Sequence, residues 1–192
     1  MAKGAEDTAR RQLGANVALN GLNFRLASRS SGYKDFSNFI VVNAKNFGLT
    51  NATSVVVVCY ISITEGNSIL PENYRFADGR DLKTLSETGG FISVFDLAPA
   101  QDHDSFVPIN SERHIDLINK ARTKETSVYV FGRLYFTDIY GSEWRTKFCR
   151  RWEPWFAPPR FVPYSQYYGQ DHERLKDQTL NFDLDAQPPA GA

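Results

Sequence analysis

Apolar and polar side chains alternate in short runs along most of this chain, which is the period of strands rather than helices. Val17 and Leu19 share one parity, and Leu22, Phe24 and Leu26 take the other. The switch at Asn20-Gly21 predicts a bulge or tight bend, because a one-residue slip exchanges the faces of a strand. Ser28 to Lys34 has the composition of a loop, and Phe36 to Asn46 forms the next expected strand. Ser54 to Ile63 is β-branched almost throughout and too short for a helix. Valines on both of its faces predict a central place in a sheet. Glu65 to Gly90 is polar and reads as long loops around one short strand or turn, and Phe91 to Leu97 alternates again. Asp102-His103-Asp104 reads as an acidic loop. Asn110-Ser111 followed by ERHIDLINKA predicts a capped short helix with Ile115, Ile118 and Ala121 on one face.

The clearest pattern runs from Val128 to Trp152 and reads as a β-hairpin. Val128, Val130, Leu134 and Phe136 share a face of the first arm; Trp144, Thr146, Phe148 and Trp152 share one of the second. Asp138-Ile139-Tyr140-Gly141 supplies the turn, with Gly141 suited to a positive φ. The expected core includes Val57, Cys59, Ile61, Leu134, Phe136 and Phe148. Strands at near-regular spacing, with Gly-containing turns and one helix, predict an all-β fold. The expected architecture is an antiparallel β-sandwich, immunoglobulin-like in general shape. Residues 1–14 read as a helical or frayed lead, 15–165 as the sandwich domain and 166–192 as a mobile tail.

The length of 192 residues fits one domain with a sizeable core. Lysine plus arginine balance aspartate plus glutamate at 22 each, so no basic excess attracts nucleic acid, and none is expected as a partner. No run of about 18 apolar residues exists, so no membrane span is expected, and the start lacks the apolar centre of a signal peptide. As written the chain reads as soluble, with its compartment open. Cys59 and Cys149 allow one disulfide or two free thiols, and two cysteines alone do not make a structural zinc site.

Two short stretches carry a resemblance. Gly132, then Tyr135-Phe136-Thr137-Asp138-Ile139-Tyr140-Gly141, then Phe148-Cys149 resemble a pattern shared by a group of uncharacterised bacterial proteins: an alternating strand with a Gly, Tyr-x-Asp-x-aromatic-Gly at the turn, and a strand ending Phe-Cys. Here Thr137 stands as an extra residue. Asn46-Phe47-Gly48-Leu49-Thr50-Asn51-Ala52 is similar to the group's Asn-x-Gly-x-Thr-Pro-Ala turn, with Asn51 in place of the Pro. Glu6 to Val17 resembles the end of the group's polar, Ala- and Arg-rich helix. The resemblance implies a C-terminal all-β domain whose relatives are usually tethered by one or two membrane helices. It implies no catalytic residues.

The candidate chemistry is sparse. Cys149 sits on an arm with Arg145, Lys147 and Arg151; neighbouring cations lower a thiol pKa, so a reactive thiolate stands as the alternative to a covered structural thiol. Cys59 shares its parity with Val55, Val57 and Ile61 and reads as core, which sets it apart from an outward Cys149 and argues against a disulfide. Arg145, Lys147, Arg150 and Arg151 offer either an anion-binding run or a solvated face that guards a sheet edge. Trp152, Trp155, Phe156, Tyr164, Tyr167 and Tyr168 crowd a Pro-rich segment. They offer a sugar- or peptide-binding surface, or a strap that closes the sandwich. His103, His114 and His172 have no partner at metal-ligand spacing, so no metal or other cofactor is expected.

The expectation is therefore a non-enzymatic interaction module with an unidentified protein or glycan partner. Its candidate binding residues are Trp152, Trp155, Tyr164, Tyr167, Arg145, Lys147 and Arg150. A glycan- or ligand-binding sandwich and an enzyme with a reactive Cys149 are the alternatives.

Overall fold

The computed structural model describes residues 13–26, 38–66, 91–109, 112–164 and 173–174. Among them are two antiparallel sheets and one short helix. The smaller sheet has the order β1-β2-β5, from β1 (Val17–Arg25), β2 (Asn38–Asn46) and β5 (Asp102–Ile109). The larger has the order β4-β3-β6-β7-β8, from β4 (Phe91–Leu97), β3 (Ala52–Glu65), β6 (Thr126–Asp138), β7 (Glu143–Glu153) and β8 (Arg160–Pro163). A two-residue strand, β9 (Glu173–Arg174), pairs with Trp144 and Arg145 of β7.

The two sheets bury their facing sides against each other. β1 contributes Val17, Leu19, Leu22 and Phe24; β2 contributes Ile40, Val42 and Ala44; β5 contributes Val107 and Ile109. From the larger sheet come Val55, Val57 and Cys59 of β3, Val128, Val130, Leu134 and Phe136 of β6, and Trp144, Phe148 and Trp152 of β7. Each fully buried side chain of this size contributes about 1.5–3 kcal/mol. The parity switch in β1 is a bulge, with the pairing to β2 shifting register between Leu19 and Gly21. It lets apolar residues of both parities reach the same core. The Thr146 hydroxyl bridges the sheets by donating to the Val17 carbonyl at 2.9 Å.

β3 lies between β4 and β6, the central place its two-faced valine pattern predicts. Its outer side and that of β6 are also buried: Val56, Val58 and Tyr60, with Tyr129, Phe131, Arg133 and Tyr135. Tyr60 stacks on Phe131 with ring centroids 5.5 Å apart. The helix α1 (Glu112–Lys120) sets Ile118 into the core, Ala121 follows it there, and Ile115 packs alongside. The Thr126 hydroxyl ties the helix to β6 by donating to the Leu117 carbonyl at 2.6 Å.

Several expectations need correction. Asp102-His103-Asp104 is the start of strand β5, not a loop. Ser105, Val107 and Ile109 point inward from it, and the edge position accommodates Pro108, which has no N–H to offer a further strand. β7 is an edge only in its middle, because β8 pairs with Arg150 to Glu153 and β9 with Trp144 and Arg145, so of its basic residues Lys147 alone has no described strand on its far side. Within the stretch expected to trail as a tail, Glu173–Arg174 is a strand. Ile61 is half-buried at the margin of the core, while the other five expected core residues are buried. The Ser28–Lys34 loop, the Asn110-Ser111 cap, most of Glu65–Gly90, residues 1–12, Tyr167, Tyr168 and His172 lie outside the described residues.

Candidate binding surface at the loop end

The Pro-rich segment after β7 divides its aromatics between two roles. Trp152 is buried, meeting Phe24 edge-on at 5.1 Å and Phe161 at 4.9 Å. It pairs with Phe161 across β7 and β8, so this part of the segment straps the sandwich shut. Tyr164 is half-buried, with its ring edge-on to Tyr129 at 4.9 Å. Trp155 and Phe156 stand out at the turn between the two strands. Lys124 lies 5.4 Å from the Trp155 ring, and the Arg160 guanidinium lies 3.9 Å from that of Phe156.

The basic run is divided as well. Arg145 and Lys147 lie half-buried on the outer side of β7, while Arg150 has the opposite parity and donates to the Cys149 carbonyl at 3.1 Å. Arg151 is held by the buried Glu153 carboxylate, donating through Nε at 2.6 Å. Of the expected binding residues that are described, Trp152 is committed to the core, Trp155 stands out at the turn, and Arg145 and Lys147 lie on the outer side of β7.

Cys59 and Cys149 are both buried free thiols. Burial pushes the Cys59 thiol up to about 12. Burial also pushes Cys149 up to about 12, against a smaller opposing pull from Arg150. Cations on the same arm therefore do not make Cys149 a thiolate; desolvation outweighs them. Among the described residues no group of three or more His, Cys, Asp or Glu side chains could hold a metal ion, and no helix is long and apolar enough to cross a membrane.

A more concentrated surface forms where the β2–β3, β4–β5 and β6–β7 connections meet. Its first pin is Asn46, fully buried at the end of β2. Its Oδ1 accepts from the N–H groups of Asn16 at 3.1 Å and Gly48 at 2.9 Å. Its Nδ2 donates to the carbonyls of Thr50 at 2.7 Å and Leu97 at 3.2 Å. One carboxamide thus uses its full capacity to fix the 47–51 turn against β4 and the chain entering β1. Gly48 packs so closely on Gly14 and Asn16 that a Cβ there would collide with their backbone.

The second pin is Asp138, buried at the end of β6. One carboxylate oxygen accepts from the N–H groups of Tyr140 at 2.9 Å and Ser142 at 2.8 Å, and the other from the Trp144 indole at 2.9 Å. Gly141 takes a φ of +74°, as its place in the turn predicts. The pins are neighbours through Ala52, which pairs with Asp138 on one side and Leu97 on the other. β3 bulges just beyond, where Ser54 at φ +49° donates its N–H to the Asp96 carboxylate at 2.7 Å.

Both pinned turns present apolar tips. Phe47 is 53% and Leu49 67% exposed; Ile139 is 55% and Tyr140 44% exposed. Leu13, at 48%, stands close by through the Gly14–Gly48 contact. Sequence reading missed this surface. The available signal was an apolar pair set one to three residues after each pin, inside the two motifs that carry the resemblance. Scans of this chain find no matching protein-family model and no matching curated protein.

Proposed function

We propose that this chain is a non-enzymatic interaction module that docks a protein partner through its loop end. The observation that carries the reading is the exposure of Phe47, Leu49, Ile139 and Tyr140 on turns that Asn46 and Asp138 hold in place. Large apolar side chains gathered on one surface are the usual sign of a contact area. Held rigid before binding, they lose little conformational freedom on association. Presenting recognition loops at one end of a sandwich is also how immunoglobulin-like domains work, the general shape taken here as part of the proposal. The likeness to the bacterial β-domain group belongs to it too, since both pins lie in its motifs. The burial of Cys149 favours this reading over an enzyme built on that thiol.

A photo-crosslinking residue at Leu49 or Ile139 tests the surface, with Val94 on the outer side of β4 as control. Capture from Leu49 and Ile139 but not Val94 yields a partner whose affinity is then measured with purified proteins. Replacing Phe47, Leu49, Ile139 and Tyr140 together by Ser should weaken it by about a hundredfold or more, because anchors of this kind dominate binding energy. The unfolding midpoint should hold, since these side chains are exposed. Unchanged affinity sinks the loop-end reading. If Trp155→Ala with Phe156→Ala abolishes binding instead, the recognition surface is the corner between β7 and β8.

A further inference from the structure

The outer face of the smaller sheet carries an open groove of about 480 Å³ that shares no lining residue with the loop tips. The bulged middle of β1 and the polar start of β5 form its walls, and Val41 and Asn43 of β2 line it between them. A chain of planar polar groups crosses all three strands. Asn20 donates through Nδ2 to Asn43 Oδ1 at 2.7 Å. Asn43 donates through Nδ2 to Asp104 Oδ1 at 2.7 Å and Asp102 Oδ2 at 3.2 Å. Beside this chain Phe106 pairs with Val41 across the sheet and is 42% exposed. Phe39 meets its ring edge-on at 6.0 Å, and the Arg25 guanidinium lies 5.9 Å from its centroid.

We propose that this groove binds an uncharged saccharide. A pyranose ring presents hydroxyls around its rim and a C–H face on its flat side. The rim needs groups that donate and accept close together, and amides with carboxylates supply both. Here they are already set by contacts with one another, so little ordering remains when the ligand arrives. The C–H face needs an exposed ring, which Phe106 supplies just outside the lining, opposite Val41 and beside Arg25. The volume falls in the range of small-molecule sites, about 300–1,000 Å³. Charge narrows the class further: the groove lining sets Asp102 and Asp104 against Arg25, with Lys45 outside the lining opposite Asp102, so no cationic excess draws an acidic sugar. The apolar ring and the hydrogen-bonded rim come from side chains of β1, β2 and β5 that all point away from the core. The smaller sheet therefore has a recognition face with no part in closing the sandwich. This inference does not rest on the loop-end reading.

The test is an NMR titration of the full chain with maltohexaose, cellohexaose, mannohexaose and chitohexaose, with hexagalacturonate as the acidic comparison. At least one neutral hexasaccharide should shift the backbone amides of residues 20–25, 41–43 and 102–106, and hexagalacturonate should not. Phe106→Ala and Asp104→Ala should each weaken that binding about tenfold or more. Phe106→Tyr should retain it, which separates loss of the ring from general disruption. The variant with all four loop tips changed to Ser should bind the saccharide like the parent. No shift with any neutral probe overturns the proposal, as does preference for hexagalacturonate or binding indifferent to both Phe106→Ala and Asp104→Ala. Unfolding midpoints of these exposed-site variants should match the parent.

Discussion

The Trp144 indole N–H donates to Asp138 Oδ2 at 2.9 Å, so the last residue of β6 holds the second residue of β7 as well as the turn between them. Asp138→Asn is nearly isosteric, yet its amide has only one accepting end. Whichever way that amide turns, an NH2 group faces an N–H donor. Loss of a buried, charge-assisted hydrogen bond costs about 1.5–3 kcal/mol. Urea denaturation should show that loss for Asp138→Asn. Asn46→Ala, which abandons four partners, should lose at least as much. Parental stability in either variant would refute its role as a pin.

Gly132 and Gly21 make a paired test of close packing. A Cβ at Gly132 would collide with the Val58 carbonyl and lie 2.7 Å from the Phe148 ring, whereas at Gly21 the nearest atom is 3.7 Å away. A backbone carbonyl in a paired strand has nowhere to go. Gly132→Ala should therefore destabilise by about 3 kcal/mol or more, the upper range for overpacking. Gly21→Ala should stay within about 0.5 kcal/mol of the parent. Equal midpoints for the two would contradict the geometry of β3 against β6.

The thiols give a pH prediction with a definite sign. Cys59 and Cys149 are raised from 9.0 to about 12 on folding. The unfolded chain loses these protons first as pH rises. Stability from this source is complete below about 9, falls as pH climbs from there, and is gone near 12. Cys59→Ala with Cys149→Ala should flatten that alkaline decline relative to the parent. A thiol reagent at pH 8 should label the native protein slowly and the urea-unfolded protein quickly. Fast native labelling of Cys149 would revive the reactive-thiol alternative.

The legible parts of the fold were those written locally. The β6–β7 hairpin shows in its two alternating arms and its glycine turn. The β1 bulge shows because Leu19 and Leu22 take opposite parities. β5 did not show: exposed Asp102 and Asp104 mask the inward alternation of Ser105, Val107 and Ile109, and its pairing partner β2 is remote in sequence. β6 revealed only one of its faces, since nothing in the alternation foretells that Tyr129, Arg133 and Tyr135 are covered too. Trp152 could be read as core from its parity with Phe148. Trp155 and Tyr164 lie beyond the regular strand pattern, and composition alone did not sort them. The loop end was illegible for a different reason. Whether an apolar turn residue is exposed depends on how its turn is anchored; Asp138 binds only residues within six positions of itself, but Asn46 also reaches Asn16 and Leu97, far along the chain.

The bulge in β1 does more than bend a strand. It sets which side chains of residues 22–25 meet Trp152 and Phe161 and which meet water; Phe24 lies 5.1 Å and 5.0 Å from those two rings. Deleting Asn20 itself would leave a regular ladder with Leu22 and Phe24 still opposite Val42 and Ile40, whereas deleting Asn23, beyond the bulge, would exchange the sets that follow, driving Arg25 inward and Phe24 outward. Interior and exterior on this strand are thus written in a single frame, like two messages on opposite sides of one ribbon. The outer side of β1 can be revised by substitution, letter for letter, but beyond the bulge not by changing the strand's length.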